Sequence, residues 1–90
     1  MKQRMRYHFT GRVQGVGFRY TAYHIASALG LTGWVYNEWD GSVTMEVQGA
    51  SSSFPSLLAR LDASPFIRIE HIETEPLPLQ PHESAFTIKD

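Results

Sequence analysis

The sequence predicts an α+β fold with the element order β-α-β-β-α-β, in which both helices pack on one face of the sheet. Several segments alternate apolar and polar residues, as half-buried strands do. Two other segments repeat their apolar residues at helical spacing. The chain has 90 residues and is 42% hydrophobic, which is enough for one packed core. We therefore expect a single domain over residues 1–90.

The first strand and the first helix are predicted from a change of period. Met5, Tyr7 and Phe9 alternate with polar residues, which indicates a strand with one buried face. From Phe18 onward the apolar residues follow one helical stripe, and Gly30 suits the position just after a helix.

A β-hairpin is predicted in the middle of the chain. "GWVYNEW" (33–39) is aromatic and typical of a strand, and Asp40–Gly41 is a tight-turn signal. Val43, Met45 and Val47 then alternate with polar residues, which predicts the second strand of the hairpin.

The second half of the chain is predicted to hold one helix and two strands. "ASSSFPSLLARLDASP" (50–65) begins with serines that can cap a helix and carries Pro55 in the first turn. "FIRIEHIETE" (66–75) and "SAFTIKD" (84–90) have strand patterns. Prolines within residues 76–81 predict a loop or a frayed sheet edge between these strands.

This order of elements is that of the ferredoxin-like plait, which contains two right-handed βαβ halves. We expect an antiparallel or mixed sheet of four to five strands. The first two strands are expected to lie side by side and to run parallel, so that their ends meet at one sheet edge. Because this fold hosts many unrelated functions, it does not identify the chemistry.

Composition narrows the function classes. The net charge is −1, so no general electrostatic attraction to nucleic acid or membranes is expected. The absence of cysteine excludes disulfides and thiolate chemistry. The N-terminus lacks the apolar segment of a secretory signal, and no apolar run is long enough to span a membrane. A cytoplasmic protein is expected.

Basic residues crowd the first part of the chain. They either form a solvated face or create a locally positive site that attracts small anions. Lys2, Arg4 and Arg6 are expected to belong to a frayed start. The four histidines, at 8, 24, 71 and 82, have no metal-ligand spacing, so no metal site is expected.

A glycine-containing loop joins the first strand to the first helix. It consists of Gln14, Gly15, Val16, Gly17 and Phe18. A loop of this kind either turns the chain or gathers unpaired N–H groups around a phosphate at the helix N-terminus. Arg19 follows and could hold two phosphate oxygens with its guanidinium. The loop matches neither the nucleotide P-loop nor the dinucleotide fingerprint.

Two long motifs resemble those of the acylphosphatase family. They are "GRVQGVGFR" (11–19) and "GWVYNEWDGSVTMEVQG" (33–49), and "SP" (64–65) and "SAFTI" (84–88) are similar to later landmarks of the family. The resemblance extends from about Tyr7 to Ile88.

The resemblance implies an enzyme that hydrolyses acyl phosphates to a carboxylate and inorganic phosphate without metal or cofactor. Its partners would be these small molecules, with no nucleic acid and no membrane, and the chain is expected to be a monomer. Arg19 would bind the substrate and Asn37 would orient the attacking water. The phosphate cradle would be the backbone of Gln14, Gly15, Val16, Gly17 and Phe18.

Three residues depart from the family pattern or are unusual beside Asn37. Tyr36 replaces a residue that is more often cationic or glutamine, and Glu38 replaces a small hydroxyl residue. We expect altered substrate affinity but retained activity. Trp39 either covers the acyl group of the substrate or caps the hairpin.

The alternative is a non-catalytic acylphosphatase-like module that binds a small anion or nucleic acid. A similar domain begins a larger hydrogenase-maturation protein. However, RNA modules of this fold carry an aromatic-rich signature strand, which "SVTMEVQG" (42–49) lacks. The physiological acyl phosphate is not identified by the sequence.

Overall fold

The computed structural model describes residues 1–90 and confirms the α+β plait, with five strands and two helices on one face of the sheet. The strand order is β4-β1-β3-β2-β5, and only β2 and β5 pair in parallel. The elements are β1 (Lys2–Arg12), α1 (Phe18–Ala28), β2 (Thr32–Asn37), β3 (Val43–Ala50), a 3-10 turn (Ser51–Ser53), α2 (Phe54–Asp62), β4 (Arg68–Leu77) and β5 (Phe86–Lys89).

The prediction that the first two strands lie side by side is wrong. β3 lies between β1 and β2 and is antiparallel to both. A helix is about 10 Å wide, which spans roughly two strand spacings, so the α1 crossover leaves room for one strand between its two ends. Since β1 and β2 still run parallel, their C-terminal ends do reach the same sheet edge.

The core lies between the sheet and the helices. Phe9 of β1 is fully buried, and its ring centre lies 4.9 Å from that of Phe18. Phe18 is also the first residue of α1. Because this ring holds the helix start against β1, it determines where Arg19 stands relative to the strand ends.

The opposite face of the sheet carries a buried charge network. Arg4, expected in a frayed start, is only 3% exposed. Its Nε donates to Glu46 Oε1 at 3.0 Å and its Nη1 to Glu83 Oε1 at 2.8 Å. The backbone N–H of Gln80 donates to Gln48 Oε1 at 2.7 Å. These hydrogen bonds hold the segment before β5 against the sheet, and Arg4 must be ordered to form them.

We expect Arg4→Met to destabilise the fold, because it leaves the carboxylate of Glu83 partly buried without its cation. Removal of one partner from a buried pair has a large effect, and we expect a loss of about 2 to 3 kcal/mol in the free energy of unfolding. Arg6→Met is the matched control. Arg6 contacts the same Glu46, but its side chain is 43% exposed, so the loss should stay below about 1 kcal/mol. Equal losses in urea unfolding would contradict this interpretation.

The contribution of Glu83 should depend on pH. Burial raises the pKa of its carboxyl, but the hydrogen bonds and the positive charge of Arg4 outweigh burial, and the net pKa lies below the usual value. The unfolded carboxyl has a pKa of about 4.3, so the stabilisation is complete well above that pH and is lost as the pH falls toward the folded pKa. The stability difference between the wild type and Glu83→Gln should therefore be greater at about pH 7 than at about pH 3.

Candidate active site

A small cavity opens where β1 and β2 end, between the start of α1 and the end of β5. Its volume is about 230 Å³, below the roughly 300–1,000 Å³ of sites for drug-sized ligands. The cavity therefore suits a small molecule. It is lined by Val13, Gly15, Gly17, Phe18, Arg19, Tyr20, Asn37 and Ile88.

The glycines of the loop adopt backbone conformations that other residues rarely take. Gly15 has φ 71° and Gly17 has φ 79°. A Cβ on either glycine would meet no atom within 4 Å. The left-handed backbone, and not a shortage of space in the protein, therefore requires glycine at these two positions. Gly17 is also the N-cap of α1.

The start of α1 offers unpaired donors. The first helical hydrogen bond runs from the N–H of Thr21 to the carbonyl of Gly17 at 3.0 Å. The N–H groups of Phe18, Arg19 and Tyr20 have no partner in the preceding turn. No side chain caps the helix and no acidic residue lies in its first turn. The partial positive charge of this end is thus available to an anion.

Two of the five predicted cradle residues turn their side chains away from the cavity. Val16 packs against the core. The side chain of Gln14 donates from Nε2 to the carbonyls of Glu38 at 2.6 Å and Ser42 at 2.8 Å. Gln14 thereby ties the loop to the β2–β3 turn that follows Asn37. This link was not predicted, because its partners lie 24 and 28 residues away in the chain.

Arg19 lies at the mouth of the cavity with its side chain 32% exposed. Its Nη1 donates to the carbonyl of Lys89 at 3.1 Å and lies 3.4 Å from Asp90 Oδ1. β5 therefore contributes Ile88 to the cavity lining and a backbone carbonyl, that of Lys89, which accepts a hydrogen bond from Arg19.

Asn37, the last residue of β2, joins Arg19 in the same cavity. Its Oδ1 is buried and accepts no hydrogen bond from the protein. Most buried polar atoms in proteins have a partner, so this unpaired oxygen is unusual, and the residue that carries it lines the cavity.

The unusual neighbours of Asn37 do not line the cavity. Tyr36 and Glu38 fall on the opposite face of the sheet by strand alternation. The carboxylate of Glu38 accepts a hydrogen bond from Thr44 Oγ1 at 2.7 Å, so it is directed away from the proposed substrate. Trp39 is 96% exposed. In the same turn, the hydrogen bond from the Ser42 hydroxyl lowers the pKa of Asp40.

No group of three or more histidine, aspartate or glutamate side chains is placed to hold a metal ion. Neither helix combines the length and the apolar character that crossing a membrane would take.

The family model and the curated relatives agree on one family. The family model described as Acylphosphatase matches residues 5–88. An acylphosphatase from Geobacillus kaustophilus is 44% identical over 79 residues, which are 87% of this chain and 84% of the relative. An acylphosphatase from Rhizobium etli is 41% identical over 85 residues, which are 93% and 90% of the two chains.

Solved structures extend the similarity to the whole chain. The crystal structure of acylphosphatase from Bacillus subtilis has a TM-score of 0.89 and 32% identity, and the match covers 100% of both chains. HypF from T. kodakarensis matches with a TM-score of 0.84 and 33% identity, over 100% of this chain but 12% of its own.

Proposed function

The chain belongs to the acylphosphatase family, and on that premise we propose that it hydrolyses the carboxyl–phosphate bond of acyl phosphates without metal or cofactor. The observation that carries the proposal is that Asn37, Arg19 and the start of α1, with its free N–H groups, line one cavity. An anion site and a water-orienting group are the two parts that this reaction needs.

The phosphoryl group would be held by the backbone N–H groups of the loop and helix start and by the guanidinium of Arg19. The guanidinium carries a full positive charge and the N–H groups a partial one, so both stabilise the negative charge of the phosphate oxygens. Phosphoryl transfer depends mainly on positioning and on stabilisation of this charge, so fixed donors in a small cavity are effective.

The attacking water would be held by the side-chain carboxamide of Asn37. The water oxygen would form a bond to phosphorus while the bond from phosphorus to the acyl oxygen breaks. The bonding electrons leave with the carboxylate. No carboxylate or imidazole lines the cavity, and an amide is a poor base. Both protons of the water would therefore stay on the released phosphate.

Metal independence is proposed from the character of the lining. Arg19 is the only charged side chain among the residues that line the cavity, and a cation there would repel a second cation. The monomeric, cytoplasmic enzyme expected from the sequence stays a prediction.

Purified protein should hydrolyse benzoyl phosphate in the presence of excess EDTA as fast as in its absence. Inorganic phosphate should inhibit competitively, and added RNA should have no effect. Phosphate binding without any turnover would instead favour a small-anion binding module. A rate that falls with EDTA and returns with a divalent metal would overturn the metal-independent mechanism.

A further inference from the structure

Apolar or aromatic side chains make up half of the eight residues that line the cavity. Val13 and Phe18 are buried and form its floor. Tyr20 of α1 and Ile88 of β5 also line it, and they are 64% and 38% exposed. Large apolar side chains from two different elements thus stand open to solvent beside the proposed phosphate site.

The fold limits where both exposed side chains can point. The ring of Tyr20 packs edge-on against His24, with ring centres 4.3 Å apart. Ile88 follows the buried Phe86 by two residues on the same strand, so it faces the same side of the sheet as the core. A ligand that contacts these groups would not have to order them first.

The charges around the cavity disfavour a second anionic group on the substrate. A bound phosphate would occupy Arg19, the only charged side chain in the lining. Lys89 is the one cationic residue of β5. Its Nζ lies over the Trp34 ring, 4.2 Å from the ring centre. Trp34 alternates with the buried Val35 and lies on the other face of the sheet. An exposed carboxylate, that of Asp90, lies 3.4 Å from Arg19 Nη1 and would repel a second anionic group.

We propose that Tyr20 and Ile88 bind the acyl group, and that the protein selects acyl phosphates whose acyl group is apolar and uncharged. This inference rests on the proposed hydrolysis. It assigns substrate selectivity to the side chains of these two residues, whereas only the backbone N–H of Tyr20, which Tyr20→Ala retains, belongs to the proposed phosphate site.

Steady-state kinetics with benzoyl and acetyl phosphate test the assignment. Tyr20→Ala and Ile88→Ala should each lower kcat/KM for benzoyl phosphate about three- to tenfold, because each removes apolar area that the ring would cover. With acetyl phosphate, whose methyl group reaches little of this surface, both variants should stay within about twofold of the wild type. Inhibition by inorganic phosphate should not change.

Tyr23→Ala is the matched control. Tyr23 lies one turn along α1 and also contacts the His24 ring, at 5.2 Å, but it does not line the cavity. It should leave both substrates unaffected. An equal loss on both substrates in Tyr20→Ala, or a loss on benzoyl phosphate in Tyr23→Ala or Trp39→Ala alone, would overturn the assignment.

A matched pair of substrates tests the selection against charge. Wild-type protein should prefer butyryl phosphate to succinyl phosphate, which has the same chain length and one additional carboxylate, by at least several-fold in kcat/KM. Equal rates would overturn the charge selectivity. Wild-type protein that hydrolyses none of these compounds would refute the proposed function and the inference together, whereas acetyl phosphate turnover without the predicted selectivity refutes the inference alone.

Discussion

Replacement of Arg19 by alanine should lower kcat/KM for acetyl phosphate at least about 100-fold, which corresponds to the roughly 3 kcal/mol typical of a lost transition-state donor. Arg19 provides the only full positive charge in the cavity lining. Its loss should weaken both the binding of phosphate and the stabilisation of the transition state. Competitive inhibition by inorganic phosphate should therefore weaken in parallel with turnover.

Two further variants separate charge from geometry at this position. Arg19→Lys keeps the charge but not the planar pair of donors, so its activity should lie between those of the wild type and Arg19→Ala. Arg12 is an exposed cation just before the loop, and it does not line the cavity. Arg12→Ala should therefore change neither kcat/KM nor the inhibition constant for inorganic phosphate. A loss of turnover in Arg19→Ala with undiminished phosphate inhibition would contradict a role in phosphate binding.

Replacement of Asn37 by alanine should lower kcat about 100-fold or more while inhibition by inorganic phosphate stays within about twofold of the wild type. The reason is that Asn37 would hold the water and not the phosphate. The measurements are steady-state kinetics with acetyl phosphate and the inhibition constant for inorganic phosphate.

The stability of the same variant provides a second readout. Asn37 Oδ1 is buried without a donor from the protein, and an unpaired buried acceptor opposes folding. Asn37→Ala should therefore unfold in urea at the same denaturant concentration as the wild type or a higher one. If Arg19→Ala and Asn37→Ala weakened phosphate inhibition equally, the proposed division of roles would be wrong.

The sequence predicted what kind of ligand the loop would bind, but not which side chain ties the loop to the rest of the protein. The position of the loop between a strand and a helix, with two glycines followed by Arg19, predicted an anion site at a helix start. The side-chain role of Gln14 could not be predicted in this way. A glutamine in a loop has many polar partners available, and only the folded turn brings the carbonyls of Glu38 and Ser42 within reach.

Arg4 illustrates the same limit on the other face of the sheet. A basic residue near the N-terminus is most often solvated, and the prediction of a frayed start followed that rule. Its partners Glu46 and Glu83 lie 42 and 79 residues away. No local pattern marks them, because alternation along a strand indicates which face a residue occupies but not what later covers that face.

Sequence patterns alone predicted the element order, the core-facing side of β1 and β3, and the loop and strand end that carry the proposed cradle and Asn37. These features depend on side-chain periodicity and turn preferences over a few neighbouring residues. Three features could be seen only in the folded chain: β3 separates β1 from β2, Arg4 is buried, and Lys89 contacts Arg19 across 70 residues. Such contacts depend on how whole elements pack. That packing depends on the burial of apolar side chains and the pairing of polar groups over the entire chain, and not on a few neighbouring residues.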